Sequence, residues 1–162
     1  RVFLRGRIAP LLELGAGFDY EMTGRENIFL NGAVLGFSRK EMATRLNRIV
    51  EFSGISDFID APIRTYSSGM VARLGFAVGS DMQPEVLIID EVLSVGDAEF
   101  QQKSSARISK YHNDGSTTLI VSHNSTAIKQ LCDRVVWLDR GSIKMLGNAN
   151  DIVDQYSPHP LS

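Results

Sequence analysis

The sequence predicts an α/β fold: a parallel sheet core with a small helical subdomain. Three observations predict it. Val86-Leu87-Ile88-Ile89, just after Pro84, is a short apolar run rich in β-branched residues, the pattern of a strand buried on both faces in a parallel sheet. That run ends in two acids, Asp90-Glu91, at the carboxyl end of the strand, where open α/β sheets place their ligands. Residues 21–83 carry helical spacing and caps with no strand between them, so they form a helical subdomain, and residues 84–162 form the core.

The elements follow in order. Residues 1–14 hold one or two short strands, the first over residues 1–8, broken at Pro10. Gly15-Ala16-Gly17 is a flexible loop, with no helix at the spacing a dinucleotide fingerprint needs. Thr23, with Glu26 three residues on, has the form of a capping box. The helix it opens, residues 25–35, is expected to bury Ile28, Leu30, Val34 and Leu35. Ser38 caps a second helix, residues 39–52, with Met42, Leu46, Ile49 and Val50 on one face. Residues 57–62 read as a helical turn and a loop. Ser67-Ser68-Gly69 opens a third helix to about Met82, with Val71, Leu74, Ala77 and Val78 at helical spacing.

After the acid-tipped strand, Gly96-Asp97 turns the chain into an amphipathic helix over residues 98–113, stopped by Asp114-Gly115-Ser116. Residues 117–122 form a second β-branched strand ending at His123, and residues 125–132 a helix. Residues 134–145 read as a hairpin turning at Asp139-Arg140-Gly141, and residues 148–156 as a last helix. The chain begins at Arg1 in the middle of a strand pattern, which leads to the expectation that it is part of a longer polypeptide.

Composition narrows the function classes. With 43% hydrophobic residues the chain can bury a real core, and a net charge of −2 with scattered Lys and Arg argues against nucleic acid as a partner. The single Cys132 excludes an internal disulfide and suits a reducing compartment. No apolar run approaches the roughly 20 residues that span a membrane, so a membrane role is expected to act through a partner.

Three features carry chemistry. Ser67-Ser68-Gly69 at a helix N-terminus offers backbone N–H groups, hydroxyls and the positive end of the dipole, which suits a phosphate; taken alone it is a plain cap. Asp90 can hold Mg²⁺ on a nucleotide phosphate, and Glu91 can orient or deprotonate an attacking water. His123, at a strand end, has the reach to contact a γ-phosphate or simply completes a loop.

In this order the three resemble the nucleotide-binding domain of ABC transporter ATPases, a P-loop NTPase-like fold, and the resemblance runs over essentially the whole chain, 1–162. Tyr66-Ser67-Ser68-Gly69-Met70 stands where that family has LSGGQ, with Arg73 at its following Arg. Residues 86–91 match the Walker B strand and catalytic Glu, residues 94–97 the D-loop, His123 the switch His, and residues 133–147 the strand pair that follows. YSSGM, IDEVLSVGDAEFQ and LLELGAGFDYEMTGRENI are similar to ATPases that power export of O-antigen, capsule or teichoic acid precursors.

The resemblance implies an ATP-hydrolysing subunit that works as a homodimer under a separate membrane permease, at the cytoplasmic face of the cell membrane. Its cofactors are ATP and Mg²⁺. Glu91 and His123 are then catalytic and Asp90 holds the metal. Ser67, Ser68, Gly69, Met70 and Asp97 meet the nucleotide, the first three by touching the γ-phosphate of ATP held by the other subunit. The Walker A loop G-x-x-x-x-G-K-[ST] and the first strands of that fold do not occur in this sequence, so the segment alone is expected to bind ATP weakly or not at all and to be inactive. Glu13 stands nearest the family's Q-loop Gln, and Met70 replaces the last Gln of the signature. Phe18 and Tyr20 are expected to be exposed aromatics that meet the permease. The alternatives are a soluble ABC-type ATPase and a non-catalytic docking module.

Overall fold

The computed structural model describes residues 3, 6–12, 14–82, 84–92 and 95–156. Its elements are β1 (Ile8–Leu11), α1 (Gly24–Val34), α2 (Arg39–Ser53), two 3₁₀ turns (Ser56–Phe58 and Ile63–Thr65), α3 (Ser68–Gly79), β2 (Val86–Asp90), α4 (Ala98–Asn113), β3 (Thr117–Val121), α5 (Ser125–Leu131), β4 (Arg134–Asp139), β5 (Ser142–Asn148) and α6 (Ala149–Gln155). They fall into two compact units, Arg1–Leu119 and Ile120–Ser162.

In the first unit β1 runs parallel to β2, from Ile8 opposite Val86 to Leu11 opposite Ile89, in a sheet of order β1-β2-β3. The Thr117 N–H donates to the Glu85 carbonyl at 2.9 Å where β3 begins. Two expectations are corrected here. The strand begins at Ile8, and the described residues before it are not in it; Gly6, at φ +102°, turns the chain first. Pro10 lies inside the strand, opposite Ile88, instead of breaking it. Among the described residues β1 pairs on one side, with β2, and a proline, which lacks an N–H to give, fits on the side left unpaired. In β2, Leu87 and Ile89 are fully buried, whereas Val86 and Ile88 are only half-covered, so this strand is not sealed equally on both faces.

Local chemistry explains the helices. Thr23 and Ser38 each accept from the backbone N–H three residues on, while Glu26 and Glu41 reach back to the cap residue's N–H, closing two full capping boxes. α2 ends on Gly54 at φ +68°, a left-handed cap that glycine adopts without strain. α1 departs from the expected face: Ile28 is buried, Leu30 and Leu35 are half-buried, and Val34 is 74% exposed. Gly24, Asn27 and Gly32 are the other buried positions of this helix. Asn27 makes four bonds: its carbonyl accepts from the Asp19 N–H at 2.7 Å, and its amide donates to the carbonyls of Asp19, Met22 and Thr23. Gly32 leaves room for Met42, whose Sδ lies 2.5 Å from where a Cβ would stand.

The core of this unit joins α2, α3 and α4 through three phenylalanines. Phe52, Phe76 and Phe100 have ring centroids 5.7–6.0 Å apart, two of the pairs edge-to-face. Beside them the buried carboxylate of Asp81 takes Arg48 through two bonds, at 2.6 and 2.7 Å, and Arg45 at 2.8 Å. Arg107 stacks on Phe52 with its guanidinium carbon 3.3 Å from the ring centre and donates to the Ser80 hydroxyl at 3.0 Å. Desolvation pushes the pKa of this arginine down.

α3 lies directly on the chain after β1. A Cβ on Gly75 would stand 2.4 Å from the Gly15 nitrogen and 2.9 Å from the Leu14 carbonyl carbon. The obstacle is backbone, so no rotamer change relieves it. Gly75→Ala is expected to cost about 1–3 kcal/mol, the usual range for overpacking, measured as a lowered denaturation midpoint with unchanged slope.

The second unit is built on the β4–β5 hairpin, in register from Arg134 opposite Asn148 to Asp139 opposite Ser142, with a bulge between Trp137 and Leu138. Arg140 and Gly141 turn it at φ +46° and +79°, the positive pair that a two-residue hairpin loop requires. α6 packs on one face of the hairpin, where Trp137 meets Tyr156 edge-to-face at 5.3 Å, and Lys129 of α5 pairs with Asp154. Among the described residues no helix is long and apolar enough to cross a membrane.

Candidate functional site

The α3 N-terminus is built as its sequence suggests. Ser67 is the N-cap, with extended φ/ψ of −68° and 158°, and its hydroxyl accepts from the Met70 N–H at 3.2 Å. Ser67 and Ser68 are exposed, and Gly69 and Met70 half-exposed. A Cβ on Gly69 would meet only the Ser67 hydroxyl, at 3.8 Å. Neither packing nor a positive φ requires glycine there; its effect is to leave the helix N-terminus open to approach from outside.

The segment leading into this cap is fastened to the start of α1. Backbone N–H groups of Gly24 and Arg25 donate to Ala61 and Ile59, and those of Ile63 and Arg64 to Met22 and Tyr20, at 2.9–3.3 Å. Tyr66 donates its hydroxyl to the Phe58 carbonyl at 2.6 Å. A Cβ on Gly24 would fall 2.3 Å from that hydroxyl, which explains the glycine. Arg25 and Asp60 add a two-bond ion pair at 2.6 and 3.0 Å.

Asp97 lines the same cleft as Ser67. It is the N-cap of α4: Oδ1 accepts from the Phe100 N–H at 2.9 Å, and Oδ2 from Arg73 Nη2 of α3 at 2.5 Å. The Phe100 N–H, and with it the Arg73 charge, hold the Asp97 carboxyl below the usual carboxylate range. Ser67, Gly69, Met70, Arg73, Gly96 and Asp97 line one cleft of about 490 Å³, together with Gly54, Ile55 and Phe58. Ser68 does not line it.

Asp90 and Glu91 lie apart from that cleft lining, at the carboxyl end of β2, and both are exposed. Glu91 has φ +54°, a left-handed conformation that costs a non-glycine residue roughly 1–2 kcal/mol. Strain of this kind turns the chain sharply after Asp90 while Val92 re-enters the core. His123 follows β3 in the second unit and is exposed. Glu13 lies outside the described residues. Phe18 is buried, at 8% exposure, and corrects the expectation of two exposed rings; Tyr20 is exposed. Sequence reasoning named Arg73 and Asp97 without joining them. It passed over Asn27, whose only sign was an amide on the inner face of a helix.

The family model described as ABC transporter matches residues 2–94. The chain belongs to the ABC transporter family. Among curated relatives, this member is 51% identical over 155 residues to the O-antigen export system ATP-binding protein RfbB of Klebsiella pneumoniae, covering 96% of this chain and 63% of that protein. It is 52% identical to the ABC transporter protein AbcA of Aeromonas salmonicida, over 93% of this chain and 49% of the relative. The teichoic acids export ATP-binding protein TagH of Lactococcus lactis is 40% identical, over 96% of this chain and 33% of that protein. The chain thus spans less than two thirds of these relatives. In fold, this ABC transporter family member matches a structure of an ATP-binding subunit of an ABC transporter, with a TM-score of 0.77 at 23% identity, over 92% of this chain and 62% of that one. It also matches a dimeric, post-hydrolysis ATP-binding cassette bound to ADP and Pi, with a TM-score of 0.72 at 18% identity, over 88% and 63% of the two chains.

Proposed function

We propose that the protein is the ATP-hydrolysing subunit of an exporter that moves a polysaccharide or lipid-linked glycan across the cytoplasmic membrane. The observation that carries this reading is the 51% identity to an O-antigen export ATP-binding protein across nearly the whole chain. The site geometry supports it: the N-terminus of α3 is open to approach, and Asp90 and Glu91 are exposed at the end of β2. In a sandwich of two subunits each subunit serves two nucleotides, one through its acids and one through Ser67, Ser68, Gly69, Met70 and Asp97.

In this reading Glu91 orients the attacking water and accepts its proton, and His123 steadies the γ-phosphate. Asp90 offers a single carboxylate at the end of β2. That suits Mg²⁺, a cation that keeps several waters and takes one or two carboxylates beside phosphate oxygens. When bound, the ion neutralises charge on the phosphates. Glu13, two residues before Gly15 in sequence, is proposed for the Q-loop position. Tyr20, exposed on the loop that Asn27 fastens, is proposed to face a membrane permease, and the protein itself to sit peripherally at the cytoplasmic face of the membrane. Residues 21–83 form the proposed helical subdomain and residues 84–162 the core.

The test is complementation. A strain lacking its O-antigen or teichoic acid export ATPase receives the full-length gene together with its permease. Restored surface polysaccharide and co-fractionation of the protein with the permease in membranes are expected. A full-length protein that stays in the soluble fraction and restores nothing would overturn the export reading in favour of a soluble ABC-type ATPase.

A further inference from the structure

We propose that Arg73 is a positioning residue for ATP hydrolysis: through Asp97 it holds the 95–97 turn against the N-terminal half of α3, so that the turn and the helix start present to nucleotide as one rigid face. The proposal rests on the ATPase reading above.

Four observations carry it. Asp97 divides its carboxylate, one oxygen capping α4 and the other taking Arg73. The turn is already stiff on its α4 side: Gly96 sits at φ +82° with Phe100 2.9 Å from its would-be Cβ, and Gln101 donates to the Gly96 carbonyl at 3.1 Å. The Arg73 bond links that stiff turn to α3, within two helical turns of Ser67. Arg73 is itself packed in place: its guanidinium carbon lies 5.2 Å from the Phe100 ring centre, a nitrogen stands 3.4 Å from where a Cβ on Gly54 would be, and its side chain is only 24% exposed.

Stability is a poor account of the pair. The Asp97 side chain is 61% exposed, and ion pairs open to water contribute little to folding. Geometry is the better account, because Ser67 and Asp97 line the same cleft and a misplacement of about 1 Å in such a constellation lowers rates by up to roughly 10²-fold.

The experiment uses the full-length protein as a purified homodimer, reading kcat and KM for ATP and the thermal midpoint. Arg73→Gln is expected to lower kcat by about tenfold, with KM within about twofold and the midpoint nearly unchanged. Asp97→Asn keeps an oxygen for the α4 cap while removing the charge, and is expected to lose a similar factor. The double variant is expected to be no worse than Asp97→Asn alone, since Arg73 acts through Asp97. Arg73→Lys, which keeps the cation, is expected to recover most of the rate. Unchanged kcat in Arg73→Gln, additive losses in the double variant, or a rate loss that follows a fall in the midpoint would each overturn the proposal. A wild-type dimer that does not hydrolyse ATP would overturn the ATPase reading and this inference together, whereas a hydrolysing wild type with an unaffected Arg73→Gln overturns this inference alone.

Discussion

Glu91→Gln in the full-length protein is expected to lower ATP turnover by about 10²–10⁴-fold, the range a positioned general base contributes. The glutamine keeps the size and the left-handed backbone of Glu91 at φ +54° but cannot take a proton. Binding of ATP is therefore expected to survive. With hydrolysis blocked, the ATP-bound dimer is expected to persist, visible as a dimer peak in size-exclusion chromatography with ATP. The strained backbone gives the prediction its specificity. A residue held at an unfavourable φ at the end of a strand has its backbone fixed by its surroundings, which sets where the side chain leaves the chain. Turnover within twofold of wild type would remove Glu91 from the catalytic role.

The second large effect is on stability. Asp81→Ala is expected to cost about 3 kcal/mol, the lower end of the range for removing one partner of a buried ion pair, since the Arg48 side chain is 55% exposed and keeps water. For a domain of this size that corresponds to a thermal midpoint lower by roughly 6–12 °C. The Asp81 side chain is only 7% exposed and answers both Arg45 and Arg48, with half-buried Arg107 nearby. Removing it leaves cations facing one another at the joint of α2, α3 and α4. Asp60→Ala is the matched control: Asp60 also holds an arginine by two bonds, but its side chain is 71% exposed, and little change is expected. Equal midpoints for the two variants would show that burial of Asp81 contributes nothing.

These two predictions draw on different kinds of information. Glu91 was legible in the sequence because an apolar run ending in two acids is a local pattern. Asp81 was not: its partners lie 33 and 36 residues away, and nothing near it announces them. The same division holds elsewhere. The capping boxes at Thr23–Glu26 and Ser38–Glu41, the cap at Ser67 and the hairpin turn at Arg140-Gly141 were readable, because each is closed by bonds within a few residues. Phe18 and Val34 were assigned to the wrong side of the surface. Helical spacing allows a face but does not say how wide it is, and a loop aromatic has no periodicity at all.

By itself the sequence determined the helices, most of the strands, their order, and the local motifs Ser67-Ser68-Gly69 and Asp90-Glu91. Those features depend on backbone propensity, capping and side-chain spacing, which act over one to four residues. Only the tertiary structure decided that Arg73 meets Asp97 across 24 residues, that Pro10 lies within a strand, and that Gly75 must be bare because the Leu14–Gly15 backbone runs against it. Those outcomes are set by which surfaces pack together, and packing is a property of the whole assembled core and not of any stretch within it.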